Sequence, residues 1–253
     1  MVKKNNKTIN AAILIIGNEI LSGRTQDLNV SFISNWLNIN CGISISEVRI
    51  IPDIEKKIIF NILDLSKKFK YVFTTGGIGP THDDITSLSI SKAFNLKYGF
   101  NNEAFSILEN YYGKKNFNDP RKKMAMMPIG SKLIYNPSSS APGFKIKNIF
   151  CLPGVPSILK SMMPNLKSYL IKGVPTISLT ISVLAVESRI AYYLTNLQKK
   201  YLKKIDIGSY PFFRLGKVGV SVVLRSVDKK VIEKCKIEFL KILKINKIKI
   251  YSI

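Results

Sequence analysis

Strand and helix patterns alternate through the first half of the chain, and this alternation restricts the possible folds more than any other feature. Ile9–Ile16 is a continuous apolar run, which is typical of a strand buried on both faces. Further strands are predicted at 43–51 and 71–74. Helical spacing occurs between and after these strands, at 27–38, 54–69 and 85–94. Such alternation predicts a parallel sheet with helices on both of its faces.

The next segment is predicted to complete this α/β domain. Residues 101–127 are interpreted as helical, and residues 155–170 as a helix that follows a Pro-Gly turn. Single strands are predicted at 132–134 and 144–152, and NPSSSAPG between them is interpreted as a loop. The resulting prediction is a three-layer α/β/α domain with a mostly parallel sheet, covering residues 1–173.

The pattern restarts after Lys-Gly-Val-Pro at 172–175, which predicts a second, smaller domain over residues 174–253. The predicted strands and helices alternate in the order β-α-β-β-α-β, at 176–186, 188–202, 205–209, 218–225, 228–243 and 248–253. This order is typical of a split βαβ unit, so a small α+β domain is expected.

The charge of the chain is unusual, but it does not predict a nucleic-acid partner. The formal net charge is +23, and almost all of the excess comes from lysine. Arginine is the preferred residue for bidentate recognition of phosphates and bases. We therefore do not expect nucleic-acid binding, although a basic surface attracts phosphorylated substrates.

Membrane association and cysteine chemistry are also not expected. The apolar run at 11–16 is too short to cross a bilayer, and no long apolar region follows MVKKNNKT. Cys41, Cys151 and Cys235 lack metal-binding or redox spacing, so we expect three reduced thiols. These features together favour a cytoplasmic protein.

The stretch TTGGIGPTHDD, at 74–84, carries the strongest functional pattern. It begins where the third strand ends, and ligands bind at this edge of open α/β sheets. Glycines let the backbone adopt positive φ and let a ligand approach, and N–H groups near a helix N-terminus bind anions. The predicted phosphate-binding residues of this stretch are Thr75, Gly76, Gly77, Gly79, Pro80 and Thr81.

Two adjacent acids, Asp83 and Asp84, follow the glycines. A phosphate beside them would be repelled unless a cation lay between, and carboxylates with phosphate oxygens form a hard-cation site. We therefore predict that both aspartates bind a divalent metal ion. The alternative is structural: Asp83 caps the next helix and Asp84 is a favourable charge in its first turn.

Other polar residues are expected at the same sheet edge. Asp53 follows the second strand and is also expected to be the N-cap of the next helix. His82 is the only histidine and is not expected to act as a base. The remaining candidate binding residues follow the first strand or lie in two later turns: Asn18, Glu19, Asp27, Asn29, Ser140, Gly143 and Gly154.

These motifs resemble those of a known family. TTGGIGPTHDDIT is similar to the signature of molybdopterin-binding domains of the molybdenum-cofactor biosynthesis (MoaB/Mog-like) type. With GNEILSG and TQDLN upstream and LPGVP downstream, it is closer to the branch of competence/damage-inducible protein A and the molybdopterin-binding-like domain of eukaryotic FAD synthase. VESRIAYYL and IGSYPFF extend the resemblance into the second domain.

The resemblance implies a phosphorylated partner: an adenine dinucleotide, ADP-ribose or molybdopterin. In the closest branch the implied activity is hydrolysis of the pyrophosphate bond of ADP-ribose or FAD with Mg²⁺, Mn²⁺ or Co²⁺. Residues matching Asp53 and Asp84 serve metal-assisted adenylyl transfer in cofactor-assembling members, so both are expected to be catalytic. A homo-oligomer is also compatible with the resemblance.

Two alternatives to hydrolysis stay open from the sequence. The same residues fit adenylyl transfer to molybdopterin, and they also fit a non-catalytic module that binds a nucleotide or pterin. The C-terminal amidase of many relatives has no counterpart in this sequence, so that activity is not expected. Ser157 follows LPGVP where many relatives carry an acid, which weakens any role for this turn.

Overall fold

The computed structural model describes residues 9–214 and 216–251, and the chain divides into two compact units. The boundary lies between Val174 and Pro175. The segment MVKKNNKT and the last two residues of the predicted strand 248–253 lie outside the described residues.

The first unit alternates strands and helices, as its sequence pattern predicts. Its strands are β1 Ile9–Ile16, β2 Ile43–Ile51, β3 Tyr71–Thr75, β4 Tyr98–Phe100, β5 Met126–Pro128, β6 Lys132–Ile134, β7 Gly143–Ile146 and β8 Ile149–Leu152. Its α-helices are α1 Asn18–Leu21, α2 Asn29–Cys41, α3 Glu55–Lys68, α4 Thr86–Ala93, α5 Asn102–Tyr112, α6 Asp119–Lys123 and α7 Pro156–Met162. Two 3₁₀ segments follow α5 and α7, at Lys114–Asn116 and Met163–Tyr169.

A six-stranded sheet in the order β2-β1-β3-β8-β7-β6 forms the centre of this unit. The pairs β1–β2, β1–β3 and β3–β8 are parallel, whereas β7 pairs antiparallel with β8 and with β6. The predicted mostly parallel sheet is therefore confirmed. Since parallel strands end at one edge, the loops after β1, β2, β3 and β8 meet there.

Helices cover both faces of the sheet and produce the predicted three layers. Successive strand residues point to opposite faces, so Phe73 and Phe150 belong to one buried cluster and Leu14 and Val72 to the other. The rings of Phe73 and Phe150 stack with centroids 5.0 Å apart. Residues of α2 and α7 complete the first cluster, and residues of α3, α4 and α5 complete the second.

Three sequence predictions in this unit need correction. Residues 144–152 form the β7–β8 hairpin, because Lys147 adopts a positive φ of 50° and reverses the chain. The segment 101–127 is only partly helical, since Met126–Pro128 pairs with β4. The predicted helix 155–170 is α-helical only to Met162, and Pro164, which lacks an N–H, lies at the start of the following 3₁₀ segment.

The second unit has the predicted β-α-β-β-α-β order and a fully antiparallel sheet. Its elements are β9 Ile177–Leu184, α8 Glu187–Lys200, β10 Asp206–Arg214, β11 Lys217–Ser226, α9 Lys229–Ile245 and β12 Lys249–Ile250. The strand order is β10-β11-β9-β12. Both helices pack on one face, where Val183, Leu194, Val222 and Phe239 form part of a separate core.

The cysteines match the expectation of unpaired thiols. Cys41, Cys151 and Cys235 are buried and free. Complete burial raises the pKa of Cys151 to about 12, which keeps this thiol protonated. Within the described ranges, no helix is both long and apolar enough to span a bilayer.

Candidate active site

A cavity of about 760 Å³ lies at the carboxyl edge of the parallel strands. This volume is within the range of small-molecule sites. The predicted site residues that line the cavity come from four different loops: Glu19, Asp53, Gly76, Gly77, Gly79, Pro80, Thr81, Asp83, Asp84 and Gly154. The structure therefore brings together most of the residues that the sequence pattern indicated.

Glycine is required at the two positions that begin the loop after β3. Gly76 and Gly77 have φ values of 95° and 68°, which disfavour residues with a Cβ. A Cβ on Gly76 would lie 2.1 Å from the carbonyl oxygen of Ile16, and one on Gly77 would lie 2.1 Å from Oγ1 of Thr86. The backbone thus passes closer to its neighbours here than any side chain would permit.

The backbone N–H groups of this cavity-lining loop differ in whether they have a partner. The amide of Gly76 is already engaged, because it donates to the carbonyl of Leu152 over 3.1 Å. Among the described residues, by contrast, no acceptor is found for the amides of Gly77, Ile78 and Gly79. Three consecutive amides without a protein acceptor can donate to water or to an anion, which is compatible with the predicted phosphate site.

The two adjacent aspartates converge on one threonine. The backbone amide of Thr81 donates to Oδ2 of Asp84 over 2.8 Å. The Thr81 hydroxyl oxygen lies 2.5 Å from Oδ1 of Asp83 and also 2.5 Å from Oδ2 of Asp84. A hydroxyl has a single proton to donate, so these two carboxylate oxygens share one donor. The bond from Thr81 is the main cause that lowers the pKa of Asp83.

Neither aspartate caps α4, the helix that follows, or lies in its first turn. α4 has Ile85 as its N-cap without a side-chain hydrogen bond, and its first turn carries no acid. The capping alternative for Asp83 and the first-turn alternative for Asp84 are therefore both wrong. Their carboxylates turn back to the loop instead of capping α4.

Asp53 reaches the same cavity from the end of β2. The expectation that it caps α3 is wrong, since Ile54 is the N-cap and no side chain caps that helix. Oδ2 of Asp53 instead accepts a 2.8 Å hydrogen bond from the backbone amide of Asn18. Burial is the largest cause that raises the pKa of Asp53, and the charges of Glu19 and Asp83 raise it further.

This donor set fits a divalent cation that is bound together with a ligand. Carboxylates from two strand ends repel one another across one cavity, which is the condition that a cation relieves. Within 9–214 and 216–251, however, no three acidic, histidine or cysteine side chains form a metal cluster. Mg²⁺ suits such a site, because it is usually bound by one or two carboxylates plus substrate phosphates.

Two predicted residues near the start of α2 have structural partners. Oδ1 of Asp27 accepts a hydrogen bond from the amide of Val30 over 2.9 Å, so this acid caps the beginning of the helix. Asn29 is buried, and its Nδ2 donates to the carbonyl of Gly154 over 2.7 Å. Asn29 thereby positions the Leu-Pro-Gly-Val-Pro turn, which itself lines the cavity.

The last predicted residues lie behind the cavity surface or beside it. Asn18 contributes its backbone amide, which positions Asp53.

Thr75 is buried within β3. Ser140 lies between two lining residues, Ser139 and Ala141. Gly143 begins β7, where a Cβ would lie 2.3 Å from the carbonyl oxygen of Cys151, so this glycine permits close strand packing.

The structure also adds residues that the sequence analysis did not select. Tyr112, Arg121 and Met124 line the cavity from α5 and from the segment around α6. The carbonyl of Thr81 accepts a hydrogen bond from the ammonium of Lys123, which joins α6 to the aspartate loop. No local pattern in 101–127 indicates that this segment folds over the end of β3.

Comparison with known proteins decides the family. A family model described as a probable molybdopterin binding domain matches residues 12–173. The chain belongs to the molybdopterin-binding domain family. In this family member, residues 175–252 match a second model, described as the middle domain of FAD synthase. The resemblance inferred from TTGGIGPTHDDIT is thus confirmed for both units.

Individual relatives support the same assignment. A protein of Sulfurisphaera tokodaii is 35% identical over 202 residues, and a protein of Sulfolobus acidocaldarius is 34% identical over 204 residues. Each match covers 76% of this chain and 76% of the relative. The crystal structure of CinA from Thermoplasma acidophilum, described as a protein of unknown function, is 29% identical with a TM-score of 0.59. It covers 64% of this molybdopterin-binding family member and 99% of its own chain.

Proposed function

We propose that this molybdopterin-binding family member hydrolyses the pyrophosphate bond of ADP-ribose or of an adenine dinucleotide such as FAD, with a divalent metal ion. One observation carries the proposal. The unpaired amides of 77–79 share a single cavity with carboxylates from two strand ends, those of Asp53, Asp83 and Asp84. An anion site beside a cation site is what a metal-bound diphosphate requires.

The glycine loop would bind the substrate through its backbone. The amides of Gly77, Ile78 and Gly79 donate to phosphate oxygens, and the absence of Cβ atoms at the two glycines lets the phosphate approach. Hydrogen bonds from the backbone amide and the hydroxyl of Thr86 hold the carbonyls of Gly77 and Gly76, so these carbonyl oxygens are directed to α4.

Asp53 and Asp84 would hold the metal ion, with Asp83 beside them. A bound divalent ion neutralises charge on the phosphoryl group and lowers the pKa of a water molecule. Thr81 orients Asp84 through its amide, and Asn18 orients Asp53 in the same way. Both carboxylates are thus fixed by backbone donors, which reduces the reorganisation needed during the reaction.

The reaction forms one bond to phosphorus and breaks another. The oxygen of water attacks a phosphorus atom, and the bond between that phosphorus and the bridging oxygen breaks. ADP-ribose then yields AMP and ribose 5-phosphate. The attacking water loses one proton to solvent, so atoms and charge balance without a protonated aspartate.

Turnover by an Asp84→Asn variant tests the proposal. Purified protein is incubated with ADP-ribose or FAD and Mg²⁺, Mn²⁺ or Co²⁺, and the release of AMP is measured. We expect Asp84→Asn to reduce the rate by about 100-fold or more, by analogy with the loss of one transition-state donor. The asparagine keeps an oxygen that can accept from Thr81, so the loop remains folded.

Asp119→Asn is the matched control, since Asp119 is an exposed acid that pairs with Lys122 on α6. We expect this variant to release AMP at the wild-type rate. The proposal is wrong if wild-type protein releases no AMP with any of the three metals. It is also wrong if Asp84→Asn and Asp119→Asn behave alike.

Adenylyl transfer to molybdopterin is the second candidate, and the family match over 12–173 favours it. It uses the same aspartates and glycines, but the bound adenylate must be protected from water. Incubation with molybdopterin and ATP separates the two reactions: adenylylated molybdopterin supports transfer, whereas AMP from ADP-ribose supports hydrolysis. Ligand binding without either product would leave a non-catalytic binding module.

A further inference from the structure

Arg121 is the residue of the cavity that the proposed reaction leaves without a role. Among the described residues that line the cavity, it carries the only positively charged side chain. Four acids line the same cavity: Glu19, Asp53, Asp83 and Asp84. This guanidinium is the one side chain of the described cavity lining whose own positive charge can bind a negatively charged group of a ligand directly.

The guanidinium of Arg121 is held in place without being neutralised. It stacks over the ring of Tyr112 at 4.2 Å from the ring centroid. Its Nη1 donates to the carbonyl of Asn116 over 2.5 Å. Arginine has five N–H donors, so this carbonyl leaves several donors for a ligand. Within the described ranges, no acidic side chain pairs with Arg121.

The backbone around Arg121 is fixed as well. Oδ1 of Asn118 caps α6 by accepting a hydrogen bond from the amide of Arg121 over 3.2 Å. Two residues later, the ammonium of Lys123 donates to the carbonyl of Thr81. The helix that carries Arg121 therefore contacts the loop that carries the aspartates, and the arginine and the aspartates line the same cavity.

We propose that Arg121 binds the second phosphate of the substrate, the one that the aspartate-bound cation does not neutralise, and so selects ligands with two linked phosphates over ligands with one. This inference rests on the proposed function. A diphosphate has two charged groups, and the cation bound by the aspartates neutralises chiefly the nearer one. A planar guanidinium gives the second phosphate two parallel charge-assisted hydrogen bonds.

The inference predicts which ligands lose affinity when Arg121 changes. Charge-assisted hydrogen bonds are strong enough that Arg121→Ala should weaken binding of a diphosphate by about 10- to 100-fold. Adenosine should bind to this variant as it does to wild type. Arg121→Lys should give an intermediate loss, because lysine keeps the charge without the bidentate geometry.

Calorimetric titration with α,β-methylene-ADP, AMP and adenosine in Mg²⁺ tests the inference. The methylene group replaces the bridging oxygen, so the diphosphate is not hydrolysed. Lys122→Ala is the control, since Lys122 is the neighbouring cation and pairs with Asp119 on the helix surface. Tryptophan fluorescence from Trp36, the only tryptophan, checks that each variant is folded.

We expect Arg121→Ala to bind α,β-methylene-ADP and AMP with nearly equal affinity, whereas wild type and Lys122→Ala prefer the diphosphate. An equal loss for adenosine would overturn the inference, because Arg121 would then contact the nucleoside. An unchanged affinity for α,β-methylene-ADP, or no binding of it by wild type, would overturn it too.

AMP release from ADP-ribose, measured on the same samples, separates this inference from the proposed function. If diphosphate binding depends on Arg121 but wild type releases no AMP, the proposed hydrolysis is wrong and the role of Arg121 stands. If wild type releases AMP but Arg121→Ala binds the diphosphate with full affinity, the proposed hydrolysis stands and the role of Arg121 is wrong.

Discussion

Two acids of this chain, one in each unit, are held in opposite ways. In the first unit, Asp53 faces Glu19 and Asp83 across a cavity, and its pKa is raised. In the second unit, Glu238 accepts hydrogen bonds from the ammonium of Lys200 and the hydroxyl of Tyr201, and its pKa is lowered. One carboxylate is held among like charges, and the other is held by donors.

The two acids occupy different places in their folds: Asp53 follows a parallel strand, whereas Glu238 lies on α9 beside Lys200 of α8. Parallel strands end at one edge, so polar loops after β1, β2 and β3 collect their side chains in a single cavity. In the second unit, neighbouring antiparallel strands place acids opposite bases, as where Asp206 lies across from Arg225 and pairs with it over 3.1 Å. Clustered acids lower stability without a ligand, so they indicate function, whereas paired acids are part of the structure.

The largest loss of stability is expected from Gly76→Ala in the first unit, compared with Gly216→Ala, a replacement at a similar positive φ in the second unit. Gly76→Ala should destabilise the first unit by about 3 kcal/mol or more, since positive φ and a clash with the Ile16 carbonyl act together. Gly216→Ala should cost only about 1–2 kcal/mol, because Gly216 has a φ of 72° but open space around it.

Urea unfolding measures both replacements. Trp36, the only tryptophan, reports on the first unit through its fluorescence, and far-UV circular dichroism reports on both units. Equal losses for Gly76→Ala and Gly216→Ala would show that the close approach of the loop to β1 has no energetic weight.

Asp53→Asn is expected to have a smaller effect of opposite sign: it should increase the stability of the metal-free protein. A carboxyl whose pKa is raised by folding binds its proton more tightly in the native state, so ionisation destabilises the protein as pH rises through that pKa. Asp53→Asn should therefore stabilise the first unit at pH 7 by up to about 1 kcal/mol. Asparagine still accepts the hydrogen bond from the amide of Asn18.

Urea midpoints measured by Trp36 fluorescence between pH 4 and pH 8 check this prediction. The difference in urea midpoint between the variant and wild type should be small near pH 4 and should increase as the pH rises. Added Mg²⁺ with α,β-methylene-ADP should stabilise wild type more than Asp53→Asn. Destabilisation by Asp53→Asn at pH 7 would contradict the idea that this carboxylate is held against repulsion.

The smallest effect is expected from Glu238→Gln in the second unit. Bonds from Lys200 and Tyr201 lower the pKa of Glu238, so its contribution to stability is present above the ordinary glutamate pKa and is lost as pH falls. The partly exposed pair with Lys200 limits the loss at pH 7 to about 0.5 kcal/mol. Urea unfolding followed by far-UV circular dichroism at pH 7 and pH 3 measures the loss, which should shrink as the pH falls. If Glu238→Gln instead increased stability at pH 7, Glu238 would not differ from Asp53 in the way described.

Elements with a simple pattern could be predicted from the sequence. The continuous run of β1 and the strand β2 match their predicted bounds, and the β-α-β-β-α-β order of the second unit matches as well. The β7–β8 hairpin could not be predicted, because both strands are mostly apolar and the turn at Lys147 contains neither glycine nor proline. With Asn148 as the one turn-favouring residue between them, two short strands look like one long strand.

The site could be predicted only as far as its residues are adjacent in sequence. The glycines and the Asp83–Asp84 pair follow one strand, so their pattern indicated a ligand site. Asp53 was predicted there but also as a cap, because a sequence does not show that the amide of Asn18 competes for its carboxylate. Arg121 lines the cavity where α6 contacts the loop near Thr81, a tertiary contact that no local pattern encodes.

The most direct test is whether a diphosphate and a divalent cation bind as coupled ligands. Calorimetry of α,β-methylene-ADP with and without Mn²⁺, and of Mn²⁺ with and without α,β-methylene-ADP, measures the coupling from both sides. We predict that each ligand increases the affinity of the other by the same factor, about 10-fold or more, and that Asp84→Asn abolishes most of this factor. Equal diphosphate affinities with and without Mn²⁺ in the wild-type protein would contradict a joint site of loop amides and aspartate carboxylates.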